Sequence, residues 1–239
     1  LEAAKLANFN ILTLTVDTIT GGNRERDLRT GFTSPPKLTP KSLLQFAIKP
    51  MWGLNYYFRD KFELAQLKGH VKEGSNIAIS VGDYFSSMLD QNMNWDDVAK
   101  LQQAWGGKFC LKGIMSPEDA KQAVEIGADA IMISNHGGRQ LDGSRSPFDQ
   151  LEEIVQAVGG KIEIILDGGI RRGTHILKAM ALGATACSGG RMYLYALGAA
   201  GRHGVEKALG NIQSEIERDM KLMGINSLKE LNSSMIRKN

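Results

Sequence analysis

The sequence has little of several features that would assign a protein class at once. Its 239 residues hold only two cysteines, Cys110 and Cys187, and both lie inside apolar runs. This placement favours buried free thiols in a reducing compartment over a disulfide framework. No apolar run approaches the roughly 18–20 residues that cross a bilayer. The net charge of +3 is too small to indicate nucleic-acid binding by itself.

Several motifs of catalysis and cofactor binding are also missing. No Gly-x-Gly-x-x-Gly follows a predicted strand, so the dinucleotide-binding fingerprint is absent. No Gly-x-Ser-x-Gly supplies a hydrolase nucleophile. His, Cys and Asp do not recur at metal-ligand spacing, so we predict no metal site. The chain starts at Leu1 without a readable signal peptide, and we expect a cytoplasmic protein and a piece of a longer chain.

What the sequence does contain is an alternation of apolar runs and capped helices. Five runs predict strands at 11–16, 108–114, 130–133, 162–167 and 184–188. Helices between them begin at caps such as Asn94 and Ser116. Such alternation predicts βα units and a parallel sheet. The number of strands favours an open doubly wound sheet, because a (β/α)8 barrel needs eight. The polar residues at every strand end are instead typical of a (β/α)8 barrel.

A long irregular segment, residues 31–93, separates the first strand from the regular part. We predict one domain over 1–239 with this segment inserted into it as an excursion. Residues 41–59 predict a helix that is broken or kinked at Pro50. Basic residues mixed with Trp, Tyr and Phe over 37–72 suit a membrane surface, and the alternative is packing on the same domain or on a neighbouring subunit. Residues 73–93 predict a mobile loop over a site.

The stretch 134–142 holds the strongest chemical signal. It follows the apolar strand 130–133, so it forms a loop at the carboxyl end of a parallel strand, where α/β proteins bind ligands. His136 can exchange a proton near neutral pH, and Arg139 can hold a carboxylate with two parallel hydrogen bonds. The alternative is a structural histidine and a solvated arginine.

Other strand ends repeat this arrangement. Lys112 ends an apolar strand and can neutralise negative charge on a ligand, although it can also reach solvent. Thr15 and Asp17 end the first strand, and a carboxylate there can orient His136 as the acid of a catalytic triad does. Arg24 can supply a second clamp on an anionic substrate. Spacing alone does not show that these residues meet.

Two glycine–arginine turns predict a phosphate site. Asp167 ends one strand and is followed by Gly168-Gly169-Ile170-Arg171-Arg172-Gly173 at a helix start, and Gly189-Gly190-Arg191 follows the last strand. Glycines, arginine and a helix N-terminus together suit a phosphate group. Barrels commonly bind phosphate with the loops after their final two strands. We interpret the three other histidines as structural or surface residues, because no comparable polar motif accompanies them in the sequence: His70, His175 and His203.

Together these motifs resemble the FMN-dependent α-hydroxy acid dehydrogenase/oxidase family, which includes glycolate oxidase, L-lactate dehydrogenase, flavocytochrome b2 and mandelate dehydrogenase. The resemblance runs in order through nearly the whole chain, and the 134–142 block is highly specific. Within the family, the chain looks closest to the membrane-associated lactate and mandelate dehydrogenases. The motifs that carry the resemblance are 15–17, 24–27, 111–113, 134–142, 167–173 and 190–191.

The resemblance implies a role for each motif residue. His136 is the base that activates the hydroxy acid and is paired with Asp17, while Arg139, helped by Arg24, binds the substrate carboxylate. Lys112 stabilises the anionic reduced flavin. The residues implied to contact FMN are Thr15, Lys112 and Ser134 at the ring, Asp167 at the ribityl chain, and Gly168, Gly169, Arg171, Gly190 and Arg191 towards the phosphate.

The resemblance also implies a fold, a reaction and partners. The chain would supply about strands 4–8 of a (β/α)8 TIM barrel. A lactate-like L-2-hydroxy acid would become the 2-keto acid, with electrons passing to a quinone or cytochrome, or to oxygen in an oxidase. A homo-oligomer, specifically a homotetramer, peripheral on the inner face of the cell membrane is implied. The competing interpretations are a catalytically incomplete barrel fragment and a non-redox phosphate-binding barrel, which the His136 and Arg139 pair disfavours.

Overall fold

The computed structural model describes residues 1–31, 39–59 and 89–237. The chain divides into two compact units, which we call the sheet unit (1–23 and 92–239) and the excursion unit (24–91). The predicted loop at 73–93 lies mostly outside the described residues, as does the part of the basic segment beyond Arg59.

The sheet unit alternates strands and helices along the chain. Its strands are β1 (Ile11–Thr15), β2 (Lys108–Ile114), β3 (Ala130–Ile133), β4 (Glu163–Asp167) and β5 (Ala186–Ser188). Its helices, numbered with those of the excursion unit, are α1 (Glu2–Leu6), α5 (Trp95–Trp105), α6 (Pro117–Glu125), α7 (Pro147–Val158), α8 (Gly173–Ala181) and α9 (Arg191–Met223), followed by short 3₁₀ turns at Leu228–Glu230 and Ser233–Met235.

The predicted parallel sheet is confirmed. The described strands pair in the order β1-β2-β3-β4-β5, and every pairing is parallel. The fold is therefore α/β with a five-stranded parallel sheet. Within the described residues, β1 and β5 each pair on one side only, so both edges of this sheet lack a partner strand.

The two faces of the sheet differ sharply in chemistry. One face packs against the helices and is apolar, with Phe109, Leu111, Ile131, Ile133 and Leu166 all buried. Burial of this face against the helices is the main stabilising contribution to the unit. Because successive side chains alternate between faces, the intervening residues form a second, smaller and more polar face. That second face carries Thr13, Thr15, Cys110, Lys112, Ala130, Met132, Ile165, Asp167 and Ser188.

Three helices of the sheet unit begin at side-chain caps. Asn94 accepts hydrogen bonds from the amides of Asp96 and Asp97 and so begins α5, as predicted. Ser116 and Ser146 cap α6 and α7 in the same way, and a proline follows each of them. α9 consists of two helices joined at a kink, where Ala200 and Gly201 leave the helical path and Gly201 has a φ of 59°. From the sequence alone we expect a long amphipathic helix from about Gly204 to Leu222, and the second of these two helices agrees with it.

Both cysteines are free, as predicted, since neither forms a disulfide. Cys110 is buried, whereas Cys187 on the short strand β5 is only half-buried. Burial raises the pKa of the Cys187 thiol to about 11 and raises that of Cys110 as well. Both groups therefore stay protonated and unreactive near neutral pH.

The excursion unit contains three short helices among its described residues: α2 (Glu25–Thr30), α3 (Pro40–Ala47) and α4 (Pro50–Phe58). The predicted break at Pro50 is confirmed, since this residue begins α4. Phe46, Trp52 and Tyr56 stack in series, with ring centroids 4.9 and 5.3 Å apart. No helix in the described ranges is long and apolar enough to span a membrane.

Candidate active site

Each of the five strands has a polar residue at or near its carboxyl end, at one edge of the sheet. Thr15 lies beside Lys112 in the β1–β2 register, and Asp167 lies beside Ser188 in the β4–β5 register. Ser134 directly follows β3. Because the strands are parallel, their carboxyl ends meet at the same edge, and these side chains from distant parts of the chain share one surface.

A hydrogen-bonded cluster joins Lys112, Ser134 and Asp167 at this edge. The Ser134 hydroxyl donates to Asp167 Oδ2 at 2.7 Å and accepts from Lys112 Nζ at 3.3 Å. Lys112 Nζ also lies 3.7 Å from Asp167 Oδ2. Ser134 is fully buried, while the side chains of Lys112 and Asp167 are 22% and 17% exposed. The cluster therefore holds an ammonium group at the open face of the sheet with its charge balanced by one carboxylate.

His136 and Asp17 form a second pair beside this cluster. His136 Nδ1 lies 3.2 Å from Asp17 Oδ1, although the two residues are 119 positions apart in the chain. A proton on Nδ1 makes the ring a donor to Asp17 and leaves Nε2 as a proton acceptor. Asp17 Oδ2 is buried and has no hydrogen-bond partner among the described residues. This arrangement is suited to general-base chemistry with an orienting carboxylate.

Close backbone packing brings Asp17 to this position. Gly113, at the end of β2, has a φ of +108°, and a Cβ there would lie 2.7 Å from Asp17 Cβ and Cγ. The glycine therefore gives Asp17 the space that it occupies. Sequence reasoning identified Gly113 only as the residue after Lys112 and missed this role.

The loop after β3 turns through left-handed backbone. His136, Gly137 and Gly138 all have φ values between 56° and 69°. The His136 amide donates to Ser134 Oγ at 3.1 Å, which links this loop to the lysine cluster. Arg191 Nη2 donates to the Gly137 carbonyl at 2.9 Å. Arg191, predicted from sequence to serve a phosphate, thus also contacts the histidine loop.

The predicted phosphate turns lie next to each other at the ends of β4 and β5. The Gly168 amide donates to the Ser188 carbonyl at 3.0 Å, which joins the two turns. Open space surrounds Gly168, Gly169 and Gly190, since a Cβ built on any of them would meet nothing within 4 Å. His175 Nδ1 lies 3.1 Å from the Gly169 carbonyl and 3.3 Å from the Arg171 amide.

Glu215 of α9 lies at the N-terminus of α8. This helix start was predicted from the sequence to be part of the phosphate site, and the Glu215 side chain binds it directly. Its carboxylate accepts from the Gly173 amide at 2.8 Å and from Arg172 Nη1 at 2.7 Å. The Gly173 hydrogen bond, and after it Arg172, keeps the pKa of this carboxyl below its usual value. A cleft of about 160 Å³ opens beside it, lined by Arg171, Arg172, Met192, Ala208, Asn211, Ile212 and Glu215.

Two further residues, Arg24 and Arg139, were predicted from the sequence to bind the substrate carboxylate. Arg24 is an exposed residue of the excursion unit. Arg139 is exposed and follows the left-handed turn in the histidine loop. Their joint role in binding a carboxylate remains a prediction. Among the described residues, no group of His, Cys, Asp and Glu could hold a metal ion.

Comparison with known proteins gives one family. A family model described as FMN-dependent dehydrogenase matches residues 1–238. An L-lactate dehydrogenase of Pseudomonas syringae pv. syringae is 38% identical over 237 residues, which is 99% of this chain and 62% of that protein. An L-lactate oxidase of a Nostoc species is 40% identical over 235 residues, which is 98% of this chain and 59% of that protein.

A solved structure agrees with these sequence relatives. The crystal structure of the monotopic membrane protein (S)-mandelate dehydrogenase superposes with a TM-score of 0.91 at 33% identity, covering 99% of this chain and 62% of that one. The chain thus spans about three-fifths of the length of the relatives that it matches. With the family match extending over almost every residue, the chain belongs to the FMN-dependent dehydrogenase family.

Proposed function

We propose that this chain supplies about strands 4–8 of a (β/α)8 barrel that oxidises a lactate-like L-2-hydroxy acid to the 2-keto acid with FMN as cofactor. The observation that carries the proposal is the His136–Asp17 pair beside the Lys112–Ser134–Asp167 cluster at one edge of the sheet. A base, a balanced ammonium group and a glycine-rich anion site are the three features that this chemistry requires. The names of the lactate dehydrogenase relatives agree with it.

The barrel assignment is supported by the two unpartnered sheet edges. In the described part of the chain, β1 and β5 each have one neighbouring strand. A closed barrel needs three further strands between these edges. The chain spans about 62% of the mandelate dehydrogenase chain that it matches, and a barrel lacking its first three strands agrees with that share.

The residues at the strand ends fit FMN. The polar face offers a hydroxyl from Thr15 and an ammonium from Lys112 for the flavin ring, and the open space around Gly168 and Gly190 leaves room for a phosphate. We assign Thr15, Lys112 and Ser134 to the ring, Asp167 to the ribityl chain, and Gly168, Gly169, Arg171, Gly190 and Arg191 to the phosphate end. FMN held by these residues would supply the two-electron redox chemistry of the reaction.

Different residues of the chain then have separate roles in the reaction. His136 Nε2 accepts the proton of the substrate hydroxyl, and the Asp17 carboxylate stabilises the imidazolium that results. Arg139 holds the substrate carboxylate through paired hydrogen bonds. Lys112 offsets the negative charge that develops at the ring edge, where a partly buried ammonium acts more strongly than it would in water.

The excursion unit supports binding to a membrane surface. Large apolar residues on α3 and α4 are exposed, including Leu44, Met51 and Tyr57, and Lys41, Lys49 and Arg59 flank them. Aromatic and aliphatic groups mixed with cations bind the interface of anionic lipids. We therefore propose a peripheral protein on the inner face of the cell membrane that passes electrons to a quinone or cytochrome, and we expect it to form a homo-oligomer.

An oxygen-using oxidase is the second candidate, and one relative carries the name L-lactate oxidase. The two functions differ in the electron acceptor and share the histidine pair and the lysine cluster. Hydrogen peroxide release distinguishes them, because only the oxidase transfers electrons to oxygen at a high rate.

Turnover of the complete protein tests the proposed reaction. We expect 2-keto acid from L-lactate or L-mandelate with a quinone analogue, no turnover of D-lactate, and little hydrogen peroxide in air. Stoichiometric peroxide would favour the oxidase instead. Failure to oxidise any 2-hydroxy acid, with FMN bound, would refute the proposal.

Sedimentation with vesicles tests the membrane surface separately. We expect the complete protein to sediment with anionic phosphatidylglycerol vesicles, and a variant lacking residues 41–72 to remain in the supernatant while keeping activity with a soluble acceptor. Sedimentation of the deletion variant would show that another surface binds lipid.

A further inference from the structure

Gln140 connects the two loops that carry the histidine pair. Its side-chain amide donates to the Asp17 carbonyl at 3.2 Å and to the Thr20 carbonyl at 3.0 Å. His136 lies four residues before Gln140 in the same loop. We propose that Gln140 is a positioning residue that sets the His136–Asp17 geometry by fixing the main chain of the Asp17 loop. This inference rests on the proposed role of His136 as the base.

Asp17 is packed closely against Gly113, but its side chain makes only one hydrogen bond among the described residues. Its Oδ1 contacts His136, and its Oδ2 has no hydrogen-bond partner in the described ranges. The last sheet hydrogen bond of this segment joins the Val16 amide to the Lys112 carbonyl at 2.9 Å. Beyond Val16, the Asp17 and Thr20 carbonyls accept hydrogen bonds from Gln140, and this amide thereby helps to fix the main chain that carries the carboxylate.

Backbone packing supports the same link. A Cβ at Gly22 would overlap the Arg139 carbonyl oxygen and lie 2.8 Å from the Gln140 Cα. The loop that follows Asp17 therefore lies directly on the loop that follows His136, with no space for a side chain at the contact. The two loops form one packed unit, and the Gln140 amide supplies side-chain hydrogen bonds between them.

The chemistry of the contact requires an amide. Both partners are main-chain carbonyls, which only accept hydrogen bonds, and the glutamine NH₂ group supplies two donors on one atom. A glutamate has the same shape but only acceptors when ionised, so it would repel both carbonyls. A methionine is similar in length and neutral but donates nothing.

The role can be separated from general stability by matched substitutions. Gln102 of α5 also donates from its side-chain amide to a main-chain carbonyl, that of Gly127, at 3.5 Å. Gln102→Glu therefore repeats the chemical change of Gln140→Glu away from the strand-end site. Gln140→Met tests the loss of the donors without adding a charge and serves if the glutamate variant does not fold.

The first readout is the rate, measured with FMN-loaded complete protein. We expect Gln140→Glu and Gln140→Met to lower kcat about 10- to 100-fold, since a displacement of about 1 Å can have such an effect. FMN content should be unchanged, and Gln102→Glu should behave as the wild type. In the Asp17→Asn background the Gln140 substitutions should cause little further loss. Equal, additive losses in both backgrounds would overturn the proposal, as would wild-type kcat in both Gln140 variants.

The second readout needs no turnover. In protein labelled with ¹⁵N-histidine, with the signal assigned through His136→Gln, we expect the Nδ1–H resonance of His136 to move or disappear in the Gln140 variants and to persist in Gln102→Glu. An unmoved resonance would overturn the positioning role even if activity fell. If His136→Gln retains full activity, the proposed base fails, and this spectrum still decides whether Gln140 sets the pair.

Discussion

Ser134→Ala probes the buried junction of the site most directly. The substitution removes one hydroxyl from a fully buried residue and leaves its volume nearly unchanged. That hydroxyl makes three contacts, with Asp167 at 2.7 Å, Lys112 at 3.3 Å and the His136 amide at 3.1 Å. A hydrogen bond to a charged group contributes about 1.5–3 kcal/mol. The bond to Asp167 is short, and removing it also leaves the His136 amide without this acceptor.

We therefore expect Ser134→Ala to lower the free energy of unfolding by about 2–3 kcal/mol. Urea unfolding followed by circular dichroism measures it. Ser214→Ala is the matched control, because the Ser214 hydroxyl donates to the Gly210 carbonyl on the exposed side of α9, where a change within about 0.5 kcal/mol is expected. A Ser134→Ala effect no larger than that of the control would refute the argument that the cluster is a stabilised, charge-balanced junction.

Three further predictions follow from single contacts. Glu215→Ala should weaken FMN binding several-fold, seen by flavin fluorescence titration, because this carboxylate fixes the turn after β4; unchanged affinity would contradict it. The hydrogen bond and ion pair with Lys108 keep the pKa of Asp129 below its ordinary value of 3.8. The stabilisation of the folded state by this ion pair is therefore fully present above about pH 3.8 and is lost as the pH falls below it. Urea unfolding of Asp129→Asn should then show a shallower acid decline, and an identical decline would exclude the pair. Gly113→Ala should cost about 1–3 kcal/mol and lower kcat by displacing Asp17, whereas wild-type stability and rate would show that the space is not needed.

Local chemistry made much of the fold predictable. The bounds of β2 follow from one apolar run, and α5 and α7 begin where their capping residues are found in the sequence. The positions of the strand-end residues follow as well, since parallel strands bring their carboxyl ends together. Chemistry at the strand ends allowed Asp17 to orient His136, and the family resemblance implied that the two are paired; His136 Nδ1 and Asp17 Oδ1 lie 3.2 Å apart.

The remainder depends on tertiary contacts that no local pattern encodes. Glu215 binds the start of α8 from 42 positions away, and nothing in its neighbourhood in α9 distinguishes it from other exposed acids. Gln140 lies inside a motif that was recognised, yet its partners are main-chain carbonyls, which leave no trace in the sequence. The first helix of α9, before the kink at Gly201, has no counterpart among the helices predicted from the sequence.

The central claim is that His136 acts as a base on a hydroxy acid beside bound flavin. Anaerobic mixing of L-lactate with the FMN-loaded complete protein, followed by flavin absorbance, tests it most directly. We predict rapid bleaching in the wild type, and bleaching slower by about 10²- to 10⁴-fold in His136→Ala with FMN still bound. Bleaching of His136→Ala at the wild-type rate would contradict the claim.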